Sequence, residues 1–151
     1  KLYFVRHGYA ENGSPDKERG LTEEGKSKLI QSIKIFQKFC PKIDYIITSP
    51  LKRAVETSQL IYANINVENE VIHENKIAPG SVLEDILVYA YSLQAEHLVF
   101  VGHQPDLSNH VSRLISNSGA SVQFTPGTIA CVNFPTGVRM TTGNLELLIP
   151  G

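Results

Sequence analysis

The stretch that decides the fold is residues 97–102, HLVFVG, in which residues 98–101 form an unbroken apolar run. A run of this length that ends in glycine is typical of a parallel strand covered by helices on both faces. Residues 2–5 form a further apolar run, and residues 44–48 (DYIIT) contain a shorter one. These three runs predict neighbouring strands of one largely parallel sheet.

Amphipathic segments separate the predicted strands. Thr22 is a good N-cap, and apolar residues follow it at three- and four-residue spacing up to Phe39, until Pro41 ends the predicted helix. Three more helices are predicted to start at Ser49, which would act as N-cap ahead of Pro50, at about residue 81, and at Pro105. Alternation of strands and helices predicts βαβ units, with helices on both faces of the sheet.

The pattern changes to strands near the C-terminus. Residues 67–72 predict a weak third strand, and residues 129–134 and 145–149 flank a loop rich in Pro, Gly and Thr, which predicts a closing hairpin. The predicted fold class is α/β: one three-layer α/β/α domain over residues 1–151, with a mostly parallel sheet and an antiparallel edge or closing hairpin.

Composition and charge exclude several classes of function. Lys and Arg number 14 against 15 Asp and Glu, so there is no overall basic field for nucleic acid or for an acidic membrane surface. No apolar run approaches the roughly 20 residues of a membrane span, and no signal peptide is recognisable. Cys40 and Cys131 lack metal-ligand spacing and are expected to be buried hydrophobes. The expected location is the cytoplasm.

Chemically useful side chains follow three of the predicted strands directly. The segments are Arg6-His7-Gly8, Ser49 to Arg53, and Gly102-His103-Gln104. Ligands of open parallel sheets bind at the carboxyl ends of the strands, so these segments are expected to bring two histidines and two arginines to one crevice. A cation in a first helical turn opposes the helix dipole, and this placement of Arg53 is understandable if the side chain faces an anion.

These residue types suit a phosphoryl group. Arginine forks and helix N-termini both bind phosphate. A neutral histidine between them can attack phosphorus, and Gly8 would let the backbone pass close to the anion. His103 could donate to the phosphoryl oxygens and offset the charge that develops during transfer.

The three segments together resemble the histidine phosphatase superfamily, which has the phosphoglycerate mutase-like fold. Arg-His-Gly on the first strand, SPLKRAVETS after the second and VGHQPDLS after a later one carry the resemblance. The LTEEG helix start is similar to the small SixA-type phosphohistidine phosphatase branch. The resemblance extends over essentially the whole chain.

The resemblance implies a role for each site residue. It implies that His7 is the phosphorylated nucleophile, that Arg6 and Arg53 clamp phosphate, and that His103 is a second pocket histidine. Chains of this branch carry an arginine just before the helix start, so Arg19 is a candidate for the phosphate entrance. No metal or organic cofactor is implied.

A proton donor is harder to assign. Gln104 stands where the acid-phosphatase branch has an aspartate. Glu11 lies shortly after the nucleophile motif, and Glu74 follows the third predicted strand, where other branches carry their acid, although both also fit solvated loop carboxylates. General-acid help is worth roughly 10² to 10⁴ in rate for an alkoxide leaving group. Phosphohistidine can instead release a neutral imidazole, whose conjugate acid has a pKa of about 6.5. A site without an acid therefore favours a phosphohistidine substrate.

Three functions remain open from the sequence. The first is a phosphatase with a covalent intermediate on His7, acting on phosphohistidine in a protein. The second is a phosphatase of the same superfamily for a small phosphorylated metabolite, with Glu74 or Glu11 as acid. The third is a non-catalytic module that binds phosphate or a phosphoprotein. The other histidines are expected to be ordinary surface or half-buried residues: His73, His97 and His110.

Overall fold

A computed structural model describes residues 1–40 and 42–151. The helices within them are α1 (Glu23–Gln37), α2 (Lys52–Asn64), α3 (Leu83–Leu93) and α4 (Asp106–Ile115), with short 3-10 turns at Asp16–Glu18 and Asn75–Ile77. The strands are β1 (Leu2–Arg6), β2 (Lys42–Ile43), β3 (Tyr45–Thr48), β4 (Asn66–Val67), β5 (Ile72–His73), β6 (Leu98–Gly102), β7 (Ile129–Asn133) and β8 (Asn144–Ile149). Across the described residues, no helix is both long enough and apolar enough to cross a bilayer.

The main sheet carries, among the described residues, six strands in the order β5-β3-β6-β1-β7-β8. The first four are parallel, whereas β7 runs antiparallel to β1 and β8 antiparallel to β7. The apolar run at residues 98–101 lies in β6, which is buried along its whole length between β3 and β1. The predicted mostly parallel sheet with a closing hairpin is confirmed.

Helices cover both faces of this sheet because side chains alternate along each strand. Phe4 and Phe100 stack at 5.8 Å between ring centroids and share a core with α3 and α4. On the opposite face, Val5 and Val99 share a core with α1 and α2. The arrangement is the predicted three-layer α/β/α fold.

The predicted single strand over residues 67–72 is wrong. Two very short strands stand there, because each end of the segment finds a different partner. Val67 in β4 pairs with Ile43 in a separate two-stranded sheet, whereas Ile72 in β5 pairs with Ile47 at the edge of the main sheet. The chain between them passes from one sheet to the other.

The start of α1 agrees with the prediction from the sequence, whereas the start of α2 differs from it. Thr22 caps α1 as predicted, since its hydroxyl accepts a hydrogen bond from the Gly25 N–H at 2.9 Å. Helix α2 begins at Lys52 with Leu51 as N-cap, so the prediction of Ser49 as N-cap is wrong. The predicted helix stop at Pro41 lies outside the described residues, and α1 ends at Gln37.

The start of α1 packs tightly against the segment that follows β1. A Cβ atom built on Gly25 would collide with the carbonyl oxygen of Tyr9 and lie 3.0 Å from the Thr22 hydroxyl. The Thr22 N–H also donates to the Tyr9 carbonyl at 2.9 Å. Helix α1 is therefore held close to the end of β1, where the candidate site begins.

Candidate active site

The register of the sheet places the two predicted site histidines side by side. Arg6 at the end of β1 is the partner of Gly102 at the end of β6, and the next residues are His7 and His103. Their ring centroids lie 5.1 Å apart. Ser49 leaves β3 on the other side of β6, with its N–H bonded to the Val101 carbonyl at 3.0 Å. All three sequence segments thus meet at one edge of the sheet.

Hydrogen bonding fixes the tautomer of His7. Its Nδ1 lies 2.8 Å from the Gly8 carbonyl oxygen, which can only accept, so Nδ1 carries the proton. Nε2 then holds the lone pair, and the Nε–H of Arg53 donates to it at 3.2 Å. Burial, together with the positive charges of Arg53 and Arg6, lowers the pKa of His7 to about 4. At neutral pH His7 is an uncharged imidazole whose free lone pair is on Nε2.

His103 is oriented by a serine that the sequence did not single out for the site. Its Nε2 forms a 2.8 Å hydrogen bond with the Ser49 hydroxyl, and the same oxygen accepts from the Leu51 N–H at 3.3 Å. Burial and the neighbouring His7 lower the pKa of His103 to about 3. The hydroxyl predicted to cap α2 therefore holds a histidine 54 residues further along the chain.

Arg53 uses three nitrogens for three acceptors. Its Nε faces His7, while Nη1 donates to the Asp16 carbonyl at 2.8 Å and Nη2 to the Asp16 carboxylate at 3.0 Å. The Arg53 side chain is only 7% exposed, although it lies in the first turn of α2. Asp16 is a second residue that sequence reasoning missed, because a polar loop aspartate carries no local signal.

The other two predicted arginines bind different partners. Arg6 donates from Nη1 to the Phe124 carbonyl at 2.7 Å and lines an open groove of about 490 Å³ between α4 and residues 120–125. Arg19 donates to the second carboxylate oxygen of Asp16 at 2.9 Å. Asp16 therefore links Arg19 to Arg53, and Arg19 reaches the site through this carboxylate.

Two buried polar atoms of these residues have no hydrogen-bond partner among the described residues: Nε of Arg6 and Nδ1 of His103. Buried polar atoms are nearly always paired in folded proteins. Both atoms belong to side chains that the sequence assigns to phosphate, so an anion at this edge of the sheet could supply the partner.

The structure does not bring the remaining predicted residues into the centre. The Gly8 N–H donates to the Thr57 hydroxyl at 3.1 Å, so it faces α2. The Glu74 carboxylate accepts from the Lys76 N–H at 3.0 Å, and Glu11 is exposed. Within residues 1–40 and 42–151, neither of these two carboxylates is hydrogen bonded to a site side chain. Gln104 bonds to Ser108 on α4.

Among the remaining histidines, His73 is exposed and His97 is half-buried, as expected. His110 is only 3% exposed, so its predicted surface or half-buried position is wrong. Its Nε2 bonds to the Ser81 hydroxyl at 2.8 Å, and α4 turns the ring into the protein. Position 110 follows the amphipathic spacing of α4, but a histidine at such a position does not by itself predict a buried side chain.

Comparison with known proteins identifies the family. Residues 2–77 match the family described as the histidine phosphatase superfamily (branch 1). The chain belongs to this superfamily. It is 32% identical over 117 residues to an uncharacterized protein of Picosynechococcus sp., an alignment that covers 71% of this chain and 68% of the relative. The resemblance found in the sequence is thus confirmed for the superfamily.

Solved structures confirm the fold. The protein histidine phosphatase SixA complexed with tungstate superposes with a TM-score of 0.87 at 19% identity, covering 99% of this chain and 96% of that one. The α-ribazole phosphatase from Shigella flexneri gives a TM-score of 0.68 at 16% identity, covering 98% and 95%. The architecture of this histidine phosphatase superfamily member is therefore that of the SixA structure.

Proposed function

We propose that this chain is a phosphatase that transfers a phosphoryl group to Nε2 of His7 and then to water. The observation that carries the proposal is the neutral His7, whose Nδ1 proton is fixed on the Gly8 carbonyl. A histidine nucleophile requires a lone pair on the attacking nitrogen, and this geometry assigns the lone pair to Nε2.

The reaction has two displacements at phosphorus. In the first, the Nε2 lone pair attacks phosphorus, and the bond from phosphorus to the leaving group breaks with its electron pair going to the leaving atom. In the second, water attacks phosphorus and the electron pair of the N–P bond returns to Nε2, while the proton that the water loses is taken up by the released phosphate or by solvent. The products are inorganic phosphate and the neutral His7 of the starting state.

Positive and hydrogen-bonding groups around Nε2 support the transfer. The Nε of Arg53 lies 3.2 Å from the nucleophile, so its guanidinium is within reach of the oxygens of a phosphoryl group bound there. His103 and Arg6 each bring a buried polar atom that has no partner among the described residues. Directed donors in a site of low solvent access stabilise the charge that develops on the phosphoryl oxygens.

The proposed substrate is phosphohistidine carried by a protein. In the described part of the chain, neither the Glu11 nor the Glu74 carboxylate is hydrogen bonded to His7 or His103, and Gln104 is bonded to Ser108, which supports a site without a dedicated acid. An imidazole leaves as a stable neutral group, whereas an alkoxide requires a proton. The open groove beside Arg6 also leaves room for a polypeptide next to the reacting group.

A second candidate is a phosphatase for esters of small metabolites. The fold likeness to the α-ribazole phosphatase favours it, since that protein has the same architecture. In that case the exposed Glu11 or the half-buried Glu74 would have to move toward the site to protonate the leaving oxygen.

A paired turnover assay tests the proposal. The chain is offered a histidine peptide phosphorylated with phosphoramidate and, separately, p-nitrophenyl phosphate, and released phosphate is measured for both. We expect rapid release from the peptide, slow release from the ester, and loss of both in His7→Ala, with His73→Ala as the control at an exposed histidine. Fast ester hydrolysis would shift the assignment to the second candidate. Phosphate binding without turnover of either compound would indicate a binding module.

A further inference from the structure

An acidic side chain of the chain itself lies between two arginines of the proposed site. One carboxylate oxygen of Asp16 accepts from Nη2 of Arg53 at 3.0 Å, and the other accepts from Nη1 of Arg19 at 2.9 Å. The Asp16 carbonyl accepts a third bond, from Nη1 of Arg53 at 2.8 Å. Two guanidinium groups around one set of anionic oxygens are the usual arrangement for recognising an oxyanion such as phosphate.

The arginine held by Asp16 also occupies the lone pair of the nucleophile. Its Nε lies 3.2 Å from Nε2 of His7. A phosphorus atom poised for attack stands about 3 to 3.5 Å from its nucleophile, so it needs the same position along the lone pair. A phosphoryl group and the Nε–H of Arg53 therefore cannot both face Nε2. The contacts of Arg53 have to rearrange when substrate binds.

Exposure shows which partner of the ion pair can move. The Arg53 side chain is 7% exposed, whereas that of Asp16 is 59% exposed on a single 3-10 turn. The hydrogen bonds from Arg53 and Arg19 hold the pKa of Asp16 below its usual range, so the carboxylate stays charged near neutral pH. Asp16 can leave into solvent because most of its side chain is already exposed, whereas the nearly buried Arg53 would then need another anion for its donors.

We propose that Asp16 is a positioning residue that fills the anion site in the resting state and is displaced by the phosphoryl group of the substrate. Its hydrogen bonds keep Arg53 and Arg19 in place, and its carboxylate competes with small anions for the site. Inorganic phosphate has to remove this carboxylate with only the contacts of the phosphate site itself to compensate. A phosphorylated protein gains further contacts that offset the loss. The inference rests on the proposed function, because it takes this edge of the sheet to be the phosphate site.

Binding of inorganic phosphate to the whole chain, followed by isothermal titration calorimetry, tests the competition. Asp16→Asn keeps the size of the side chain and removes its charge. We expect it to tighten phosphate binding about two- to fivefold, since solvent around the largely exposed Asp16 carboxylate screens its charge and limits its contribution to a factor of about five in an equilibrium constant. Glu18→Gln is the matched control, because Glu18 lies on the same 3-10 turn and is exposed. It should change the dissociation constant by less than 1.5-fold.

Two further readouts separate displacement from a merely structural role. Phosphate should increase amide hydrogen exchange at residues 14–19 of the wild-type chain, because the turn loses its ion pair. With the phosphorylated peptide, Asp16→Asn should lower KM and leave kcat within about twofold. Thermal unfolding without phosphate checks that the variant is folded.

Several results would overturn the inference. Unchanged or weaker phosphate binding in Asp16→Asn would show that the Asp16 carboxylate does not compete with phosphate. Equal tightening in Glu18→Gln would show the same. Slower exchange of residues 14–19 with phosphate shows that the turn closes on the anion instead. If wild type binds phosphate and turns over substrate while Asp16→Asn behaves identically, only the role of Asp16 falls. If neither chain binds phosphate, the proposed function falls with it.

Discussion

Replacing Arg53 with lysine separates positive charge from directed hydrogen bonding. The guanidinium donates to three different acceptors from three nitrogens, at 3.2, 2.8 and 3.0 Å. An ammonium group has one nitrogen and cannot reproduce this fork. Arg53→Lys thus keeps the charge at the start of α2 and removes the planar donor array beside His7.

The size of the effect follows from the bonds that are lost. If Arg53 binds the phosphoryl oxygens through two nitrogens in the transition state, lysine retains one of the two bonds. A hydrogen bond to a charged group contributes about 1.5 to 3 kcal/mol. Each 1.36 kcal/mol is a factor of ten in rate, so kcat/KM should fall about 10- to 150-fold. Most of the loss should appear in kcat, because the phosphoryl oxygens gain charge during transfer.

The assay measures phosphate release from the phosphorylated histidine peptide over a range of concentrations. Arg113→Lys is the matched control, since Arg113 is an exposed residue of α4 whose ion pair is with Glu84. It should leave kcat/KM within about twofold. Thermal unfolding of both variants shows whether the nearly buried position 53 tolerates lysine. A folded Arg53→Lys variant with nearly normal kcat/KM would refute the assignment of Arg53 to the phosphoryl group.

Two further predictions concern pH and packing. The pKa values of His7 (about 4) and His103 (about 3) in the folded chain lie below the ordinary histidine value of 6.5. Between the folded values and pH 6.5, the unfolded chain therefore binds more protons than the folded chain. The free energy of unfolding should therefore stay constant above pH 6.5 and decline as the pH falls toward 4. Urea titrations at several pH values should show a shallower decline in His7→Ala than in the wild type. Equal slopes for the two chains would contradict the low pKa of His7. Gly25→Ala should destabilise the chain by about 1 to 3 kcal/mol, because its Cβ meets the Tyr9 carbonyl. Urea unfolding checks this against Ser27→Ala on the exposed face of α1, and equal stability of the two variants would show that the helix can shift away.

Elements with a local signal could be predicted from the sequence. The strand at β6 could be predicted without knowledge of the rest of the chain, since a short, β-branched apolar run that ends in glycine is typical of a strand covered on both faces. Thr22 needed only its own helix, because a capping hydroxyl bonds to an N–H three residues away. The meeting of His7 and His103 followed from the rule that parallel strands present their carboxyl ends at one edge.

Features that depend on distant partners could not be predicted. Ser49 looks like an N-cap from its neighbours, but its hydroxyl bonds to His103 on another strand. Residues 67–72 look like one strand, although Ile72 pairs with Ile47 and Val67 with Ile43. Asp16 is one exposed residue of a polar loop, and only the fold brings Arg53 beside it. In each case the competing partner lies far away in sequence.

The central position of β1 links the candidate site to the order in which the chain is synthesised. Leu2 pairs with Leu98 on one side and with Val132 on the other, so both neighbours of the first strand come from the second half of the chain. Pairings between such distant segments form late and slowly compared with local contacts. A nascent chain that ends before β6 carries Arg6 and His7 with no strand to align them. His7 and His103 therefore come together only when the sheet is complete. During refolding, recovery of turnover should lag behind helix formation.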